Sequence, residues 1–304
     1  MFKIGKVILS SNVLMAPMAG FSDIGFRHLC RGFGAGLTFT EMVSMKGLKY
    51  NNARTVKMLL VDESETPSAV QIFGNDPDVM SEMCATEHMR KFDIVDINMG
   101  CPVHKIINNF EGCRLMRDIA LAEKVIKAVR KNVKTLTVKF RKGFDGANVN
   151  AVEFAKMCEG AGADAVTVHG RTREQFYSGA VDLDIIGRVA AAVKIPVIGN
   201  GDIYLSGGMT PEKMIRETGC AGAMVARGAL GRPYVFARSR PSVYSMVKTH
   251  IEVLARHFDA DFIVKHMRGH MAWYLKEIAG GKKLKAEINK MTEIGDILEA
   301  VKHI

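Results

Sequence analysis

No stretch of eighteen or more consecutive apolar residues occurs in the 304-residue chain, which argues against a membrane-spanning helix. The opening Met1-Phe2-Lys3-Ile4-Gly5-Lys6 lacks the long apolar core of a secretory signal, so a cytoplasmic location is expected. The six cysteines (30, 84, 101, 113, 158, 220) form no CxxC pair, and no histidine lies at zinc-ligand spacing. Neither a disulfide framework nor a structural metal is indicated, and reduced thiols are expected. Low-complexity sequence is absent as well. What remains is an ordinary globular composition, 48% hydrophobic and 24% charged, long enough for one large α/β barrel or two smaller domains. The net charge of +10 favours a polyanionic partner, because basic side chains that neutralise phosphates release condensed counterions.

Short β-rich runs recur about every thirty residues: Val13–Met18, Leu37–Glu41, Ala69–Phe73, Ile94–Asn98, Leu136–Phe140, Ala165–His169, Pro196–Asn200 and Ala223–Arg227. Between them lie segments with helical periodicity, the clearest at Val79–Met89, Leu121–Val129 and Val152–Gly160. The strands are too apolar for a sheet with one wet face, so parallel strands covered by helices are expected. Eight such units fit a closed (βα)₈ TIM barrel better than an open doubly wound sheet, which needs a topological break. Beyond about Pro241 the β-rich runs cease, and Val243–Phe258, Phe262–Ile278 and Ile288–His303 read as helices. The expected organisation is a barrel domain over residues 1–240 and a small C-terminal helical domain over 241–304. Ile263, Met267, Met271, Tyr274 and Ile278 form the buried stripe of its middle helix.

Working residues of such barrels come from the carboxyl ends of the strands. Those positions hold Met18, Glu41, Gln71, Asn98 with Cys101, Lys139, His169, Asn200 and Arg227, and all but Met18 are polar or ionisable. The fourth run, Ile-Val-Asp-Ile-Asn-Met-Gly-Cys-Pro, is the centre of the set. Gly100 and Pro102 stop the strand and hold the Cys101 thiol in a fixed loop. Gly199-Asn200-Gly201-Asp202 and Ala226-Arg227-Gly228 place small residues where backbone N–H groups approach an anion, with Arg227 adding charge. A phosphate-bearing ligand follows, and with Gln71 and Lys139 opposite, FMN fits. Lys139 read alone also suits a surface lysine or a Schiff-base lysine.

The sequence resembles the tRNA-dihydrouridine synthases, nearest the bacterial B-type group. The resemblance rests on Ala16-Pro17-Met18-Ala19-Gly20, Val70-Gln71-Ile72, Asn98-Met99-Gly100-Cys101-Pro102, Lys139-Phe140-Arg141-Lys142-Gly143, His169-Gly170-Arg171-Thr172-Arg173, Gly199-Asn200-Gly201-Asp202-Ile203, Ala226-Arg227-Gly228, Lys265-His266 and Trp273-Tyr274. It implies a (βα)₈ flavoprotein with a helical RNA-binding tail, in which FMN, re-reduced by NADPH, saturates the C5=C6 bond of particular uridines in tRNA. By matching motif it places Pro17, Met18, Ala19, Gln71, Lys139 and His169 on the flavin and Asn200, Gly201, Asp202, Ala226 and Arg227 at its phosphate. Cys101 is then the proton donor.

Hydride delivery to C6 of uracil leaves enolate-like charge toward C5, so an acid is needed on the opposite face, and a thiol kept protonated suits that task. Asn98, Arg141 and Arg171 are candidates for holding the base or nearby phosphates, with structural roles equally open. A stacked uridine must be turned out of the tRNA to reach such a pocket. Trp273 and Tyr274 fit apolar packing better than RNA stacking. The chain departs from similar enzymes after Gly112, where Cys113-Arg114 replaces small residues. Arg114 is thereby a candidate phosphate contact, and Cys113 a candidate partner for oxidation of Cys101. Competing readings are a flavin barrel acting on a free pyrimidine, an RNA-binding factor without activity, and a metal-free aldolase.

Overall fold

The computed structural model describes residues 2–205, 207–237 and 239–304. It opens with a hairpin that the sequence reading did not anticipate, β1 (Phe2–Ile4) and β2 (Val7–Leu9), turned at Gly5 with φ of +55°. Eight parallel strands follow: β3 (Val13–Met15), β4 (Phe39–Ser44), β5 (Ala69–Phe73), β6 (Ile94–Met99), β7 (Leu136–Gly143), β8 (Ala165–Thr172), β9 (Val197–Asn200) and β10 (Gly222–Val225). Their order, β3-β10-β9-β8-β7-β6-β5-β4, is sequential around the sheet. A parallel bridge between Met15 and Thr38 joins the two ends, and the barrel is closed.

Two apolar layers hold it. Ile4 and Leu9 of the hairpin pack with Leu14, Phe39, Ala69, Ile94, Ala165, Ile198 and Met224 near the starts of the strands, plugging the lower end. The larger cluster lies between strands and helices, with Val95, Ile97, Val138 and Val168 among its members. The helix Ile119–Arg130 is typical of the outer ring: Asp118 caps it through Leu121 N–H, and Ala122, Val125, Ile126 and Val129 are its buried face. The expected helix Val79–Met89 is instead two, Pro77–Cys84 and Glu87–Arg90, because the Thr86 hydroxyl donates to Met83 O at 2.7 Å and ends the first.

After the barrel come Val243–Ala255, Ala260–Tyr274, Gly281–Ile288 and Ile294–Ala300. The expected last helix, Ile288–His303, is thus broken: Asn289 caps one helix and the next begins after Glu293. Val247, Ile251, Leu254, Ile263, Met267, Met271, Ile288 and Ile297 share a core with Ile24 and Leu29 of the helix Ile24–Gly32. Asp23, the N-cap of that helix, also ties it to the C-terminal helices. It accepts from the backbone N–H groups of Gly25 and Phe26 and lies 2.9, 3.0 and 2.7 Å from Nε2 of His250, His266 and His270. A Cβ on Gly25 would stand 2.3 Å from His250 Cδ2, so only glycine permits this approach. Among the described residues, no helix is long and apolar enough to cross a membrane.

Candidate active site at the carboxyl end of the barrel

Register, more than any single motif, assembles the site. Asn98 of β6 pairs with Lys139 of β7, and two residues further along the register Arg141 of β7 pairs with His169 of β8 and His169 with Asn200 of β9, so the polar side chains stand in two successive tiers. One layer lower, Asp96 is level with Gln71 and Thr137. The Thr137 hydroxyl donates to Asp96 Oδ1 at 2.6 Å, and Gln71 Nε2 donates to Oδ2 at 2.7 Å. Gln71 Oε1 in turn accepts from Asn98 Nδ2 at 2.8 Å, leaving Asn98 Oδ1 to receive the N–H groups of Gly100 (3.1 Å) and Cys101 (2.9 Å). Burial pushes the Asp96 carboxyl up from its ordinary value.

The thiol loop closes over this network. Cys101 is half-buried, and burial raises its pKa, opposed by the Val103 N–H and the Arg141 charge. Its sulfur is therefore held as a thiol at neutral pH. Gly112 (φ +60°) lies against it; a Cβ there would come within 2.9 Å of Cys101 O. Cys113 is fully buried and pushed up to about 12 by burial, and all the cysteines are free. Cys113 Sγ faces Met116 Sδ and Gly143 O, so its role is packing against β7.

Lys139 Nζ donates to Asn200 Oδ1 at 3.0 Å, and Asn200 Nδ2 donates to Met224 O at 2.7 Å. Burial, then Arg141, lowers the Lys139 pKa, while burial and the surrounding Arg141, Lys139, Arg171 and Arg227 hold His169 well below 6.5. The imidazole is neutral at physiological pH. Arg171 donates to Asp202 Oδ2 at 2.7 Å and to Ser178 O, yet its buried Nη1 has no partner. The Arg227 guanidinium lies 4.0 Å over the Tyr177 ring.

Together these residues line a cavity of about 400 Å³ that includes Pro17, Met18, Ala19, Cys101, Lys139, Arg141, His169, Arg171, Asn200, Gly201, Asp202, Ala226 and Arg227. Gln71 and Asn98 are not in its lining: Gln71 is 1% exposed and turned onto Asp96. Arg141 is 3% exposed and clamps three carbonyls, those of Gly100, Thr172 and Phe176, so it binds its own loops. Arg114 packs over Phe110 and Phe144 outside the cavity. Glu41 sits within β4 and lines a separate cavity of about 560 Å³ with Asp23, Phe262 and His266. Tyr274 is buried on His250, whereas Trp273 reaches the cavity edge against Phe21. The sequence reading missed Met42, Phe21 and Tyr177 in the lining. For Tyr177 the signal was an aromatic pair, Phe176-Tyr177, in a Ser-Gly loop directly after the His169 motif.

The residues suit a flat, phosphate-bearing heterocycle. Pro17, Met18, Ala226 and Met224 offer apolar faces, while the unpartnered Arg171 Nη1 and the Arg227 charge stand at one end. Gly201 (φ +138°) belongs to that end, and a Cβ there would strike Val181 at 2.5 Å.

The closed parallel barrel with its working residues at the strand ends is a (βα)₈ enzyme fold. Solved structures agree on the fold: histamine dehydrogenase from Rhizobium sp. 4-9 superposes with a TM-score of 0.58 at 11% identity, covering 83% of this chain and 50% of that one. The old yellow enzyme homologue from Zymomonas mobilis gives 0.55 at 13% identity over 79% and 96%. Sequence comparison gives the family. The dihydrouridine synthase (Dus) family model matches residues 14–304. A probable tRNA-dihydrouridine synthase of Rickettsia bellii is 36% identical over 96% of this chain and 94% of the relative. The tRNA-dihydrouridine synthase B of Pseudomonas aeruginosa is 35% identical over 96% and 92%. The chain belongs to the dihydrouridine synthase family.

Proposed function

We propose that this protein reduces the C5=C6 bond of particular uridines in tRNA to 5,6-dihydrouridine, with FMN in the barrel mouth and NADPH as the reductant. The observation that carries the reading is a half-buried, protonated Cys101 thiol in the same cavity as Lys139 and His169. Reduced flavin bound there supplies a hydride. Lys139, held by Asn200, would place positive charge beside the ring, and neutral His169 would offer an N–H without adding charge. Pro17, Met18 and Ala19 would bear on its face, and Asn200, Gly201, Asp202, Ala226 and Arg227 would form its phosphate end. Asp202 positions Arg171 so that its free Nη1 is available to that end.

Across the cavity, Cys101 Sγ–H gives its proton to C5 of the uracil. A thiol held above its ordinary pKa keeps that proton until charge develops on the base. Asn98 keeps the loop in register through two N–H groups, and Arg141 locks Gly100 from behind. We assign catalysis to residues 1–240 and tRNA binding chiefly to 241–304, with the whole acting in the cytoplasm on a turned-out uridine.

The test is direct. Purified protein, with its flavin identified after denaturation, is given NADPH and either unmodified tRNA or free uracil. Dihydrouridine in the tRNA alone is the expected result. Reduction of free uracil at equal efficiency would favour an enzyme of free pyrimidines, and colourless protein that binds tRNA would favour a binding factor.

A further inference from the structure

Three guanidinium groups crowd around one aromatic ring beside the thiol loop. The segment Gly112–Arg117 is a 3₁₀ helix, and at three residues per turn Arg114 and Arg117 project from one edge. Arg114, Arg117 and Arg173 lie 5.9, 5.1 and 5.5 Å from the Phe144 ring, which extends from the end of β7. Arg114 also covers Phe110 at 5.1 Å; that ring is 57% exposed, on a residue at φ +60°.

Like charges so placed repel, and among the described residues none of the three takes part in an ion pair. Two acids stand nearby without pairing: Asp118 accepts from Leu121 N–H and lines the same cavity as Arg114 and Arg117, and Asp145 accepts from Ala147 and Asn148 and is held below its ordinary value by Asn148 and in smaller part by the Arg117 charge. Arg173 Nε is buried without a partner, and Nη2 stands 3.2 Å from His104 Nδ1. Three guanidinium groups gathered on rings, with two carboxylates nearby but none in an ion pair with them, leave net positive charge that suits an anion.

Its location decides which anion. Cys113 N–H donates to Cys101 O at 3.1 Å, so the 3₁₀ turn lies directly against the loop that carries the thiol, and His104 opens the helix that follows that loop. We propose that Arg114, Arg117 and Arg173 form a phosphate-binding subsite that grips the RNA backbone next to the nucleotide entering the barrel, with Phe110 as a platform for a neighbouring base. This rests on the reading of the protein as an enzyme of tRNA. An arginine fork at that position fixes register as well as affinity, and so bears on which uridine reaches Cys101.

The experiment measures tRNA affinity of the full-length flavin-loaded protein across a salt series. For the variant Arg114→Ala/Arg117→Ala/Arg173→Ala, the slope of log K against log salt should fall in magnitude by about 2 to 3, since each phosphate contact contributes roughly 0.7 to 0.9. Arg114→Lys/Arg117→Lys/Arg173→Lys should keep most of the slope and lose position selectivity. The double variant Arg114→Ala/Arg117→Ala, confined to the rim, gives the same reading if loss of Arg173 unfolds the chain. Arg188→Ala/Arg216→Ala, on outer helices, removes charge elsewhere and should leave the slope unchanged. An unchanged slope in the alanine variants, or an equal fall in the outer pair, overturns the subsite while the enzyme reading stands. Absence of tRNA binding by the parent removes both.

Discussion

Asn98 Oδ1 accepts the backbone N–H of Cys101 at 2.9 Å, so a side chain one residue from the end of β6 positions the loop that carries the thiol. The thiol is thereby fixed before any substrate arrives, and its own side chain takes only the Val103 N–H. Replacing it with alanine should leave flavin content and tRNA affinity intact while dihydrouridine formation falls about 10²- to 10⁴-fold, the range for loss of a positioned acid. Flavin absorbance, tRNA binding and product mapping on the Cys101→Ala protein check this. Loss of flavin with the thiol would make Cys101 part of the scaffold.

The same bond predicts a different outcome one residue set earlier. Asn98→Ala strands the N–H groups of Gly100 and Cys101 and removes the donor to Gln71 Oε1. Each unsatisfied buried group costs about 1–3 kcal/mol, so the loop should loosen. kcat should drop more than KM for tRNA, because the thiol is misplaced in the transition state rather than in binding. An effect on KM alone would place Asn98 against the RNA.

How far the site was readable depends on which interaction sets each residue's place. Lys139, His169 and Asn200 were legible because the strands of a parallel barrel carry their working residues toward the mouth, although β7 and β8 run past the expected ends to Gly143 and Thr172 and the register sets Lys139 level with Thr167 and His169 level with Asn200. Gln71 lies in mid-strand, where the buried Asp96 captures its amide; a buried carboxyl two strand positions before Asn98 was the overlooked cue. Arg141 and Arg171 carry no sequence mark that distinguishes an arginine reaching for RNA from one clamping its own loops. Arg141 is taken up by the carbonyls of Gly100, Thr172 and Phe176, remote in sequence, and Arg171 by the Asp202 carboxylate and the Ser178 carbonyl. The hairpin at Phe2–Leu9 was missed because two three-residue strands are too short to carry a period. Breaks at Thr86 and Asn289 were local capping choices inside otherwise periodic stretches.

Arg141 yields a stability prediction. Its guanidinium joins β6, β8 and the Phe176 loop through three carbonyls, and a lysine ammonium cannot span them in one plane. Both Arg141→Ala and Arg141→Lys should destabilise the protein, the alanine by about 2–4 kcal/mol in urea unfolding, as expected for breaking a buried charged network. Native stability with weakened tRNA binding would return Arg141 to the RNA surface.

The phosphate end is tested at Arg227. Stacking on Tyr177 at 4.0 Å orients this guanidinium toward the cavity. Removing a charge-assisted contact worth about 1.5–3 kcal/mol should weaken flavin binding about 10- to 100-fold in Arg227→Ala. Tyr177→Ala should show a smaller loss of the same kind. Retained flavin after extensive dialysis would detach Arg227 from the cofactor.

The histidines on Asp23 give the protein an acid-side weakness. Burial and the neighbouring His250 push His270 down to about 4, whereas the Asp23 carboxylate raises His266 despite its burial. Asp23 itself is held well below its ordinary value by His250, His270 and His266, against its own burial. A histidine with a depressed folded pKa takes its proton first in the unfolded chain, so the stability tied to His270 is complete above pH 6.5 and is lost as the pH falls toward 4. At 1.4 kcal/mol per pH unit, the drop from 6.5 to about 4 is worth ~3 kcal/mol. His266 has the opposite sign: its contribution is full below 6.5 and fades as pH rises through its raised value. The carboxylate of Asp23 keeps its contribution throughout this window and yields only below the ordinary carboxylate range. Asp96, pushed up to about 6 by burial, adds stability as the pH falls over part of the same range, so the test is a difference: from pH 7 to pH 4 the urea midpoint of the parent should fall relative to that of His270→Asn, which is the less stable of the two at pH 7. Parent and His270→Asn midpoints that stay a constant distance apart from pH 7 to pH 4 would mean that the docking of the C-terminal helices onto Asp23 does not depend on a neutral His270.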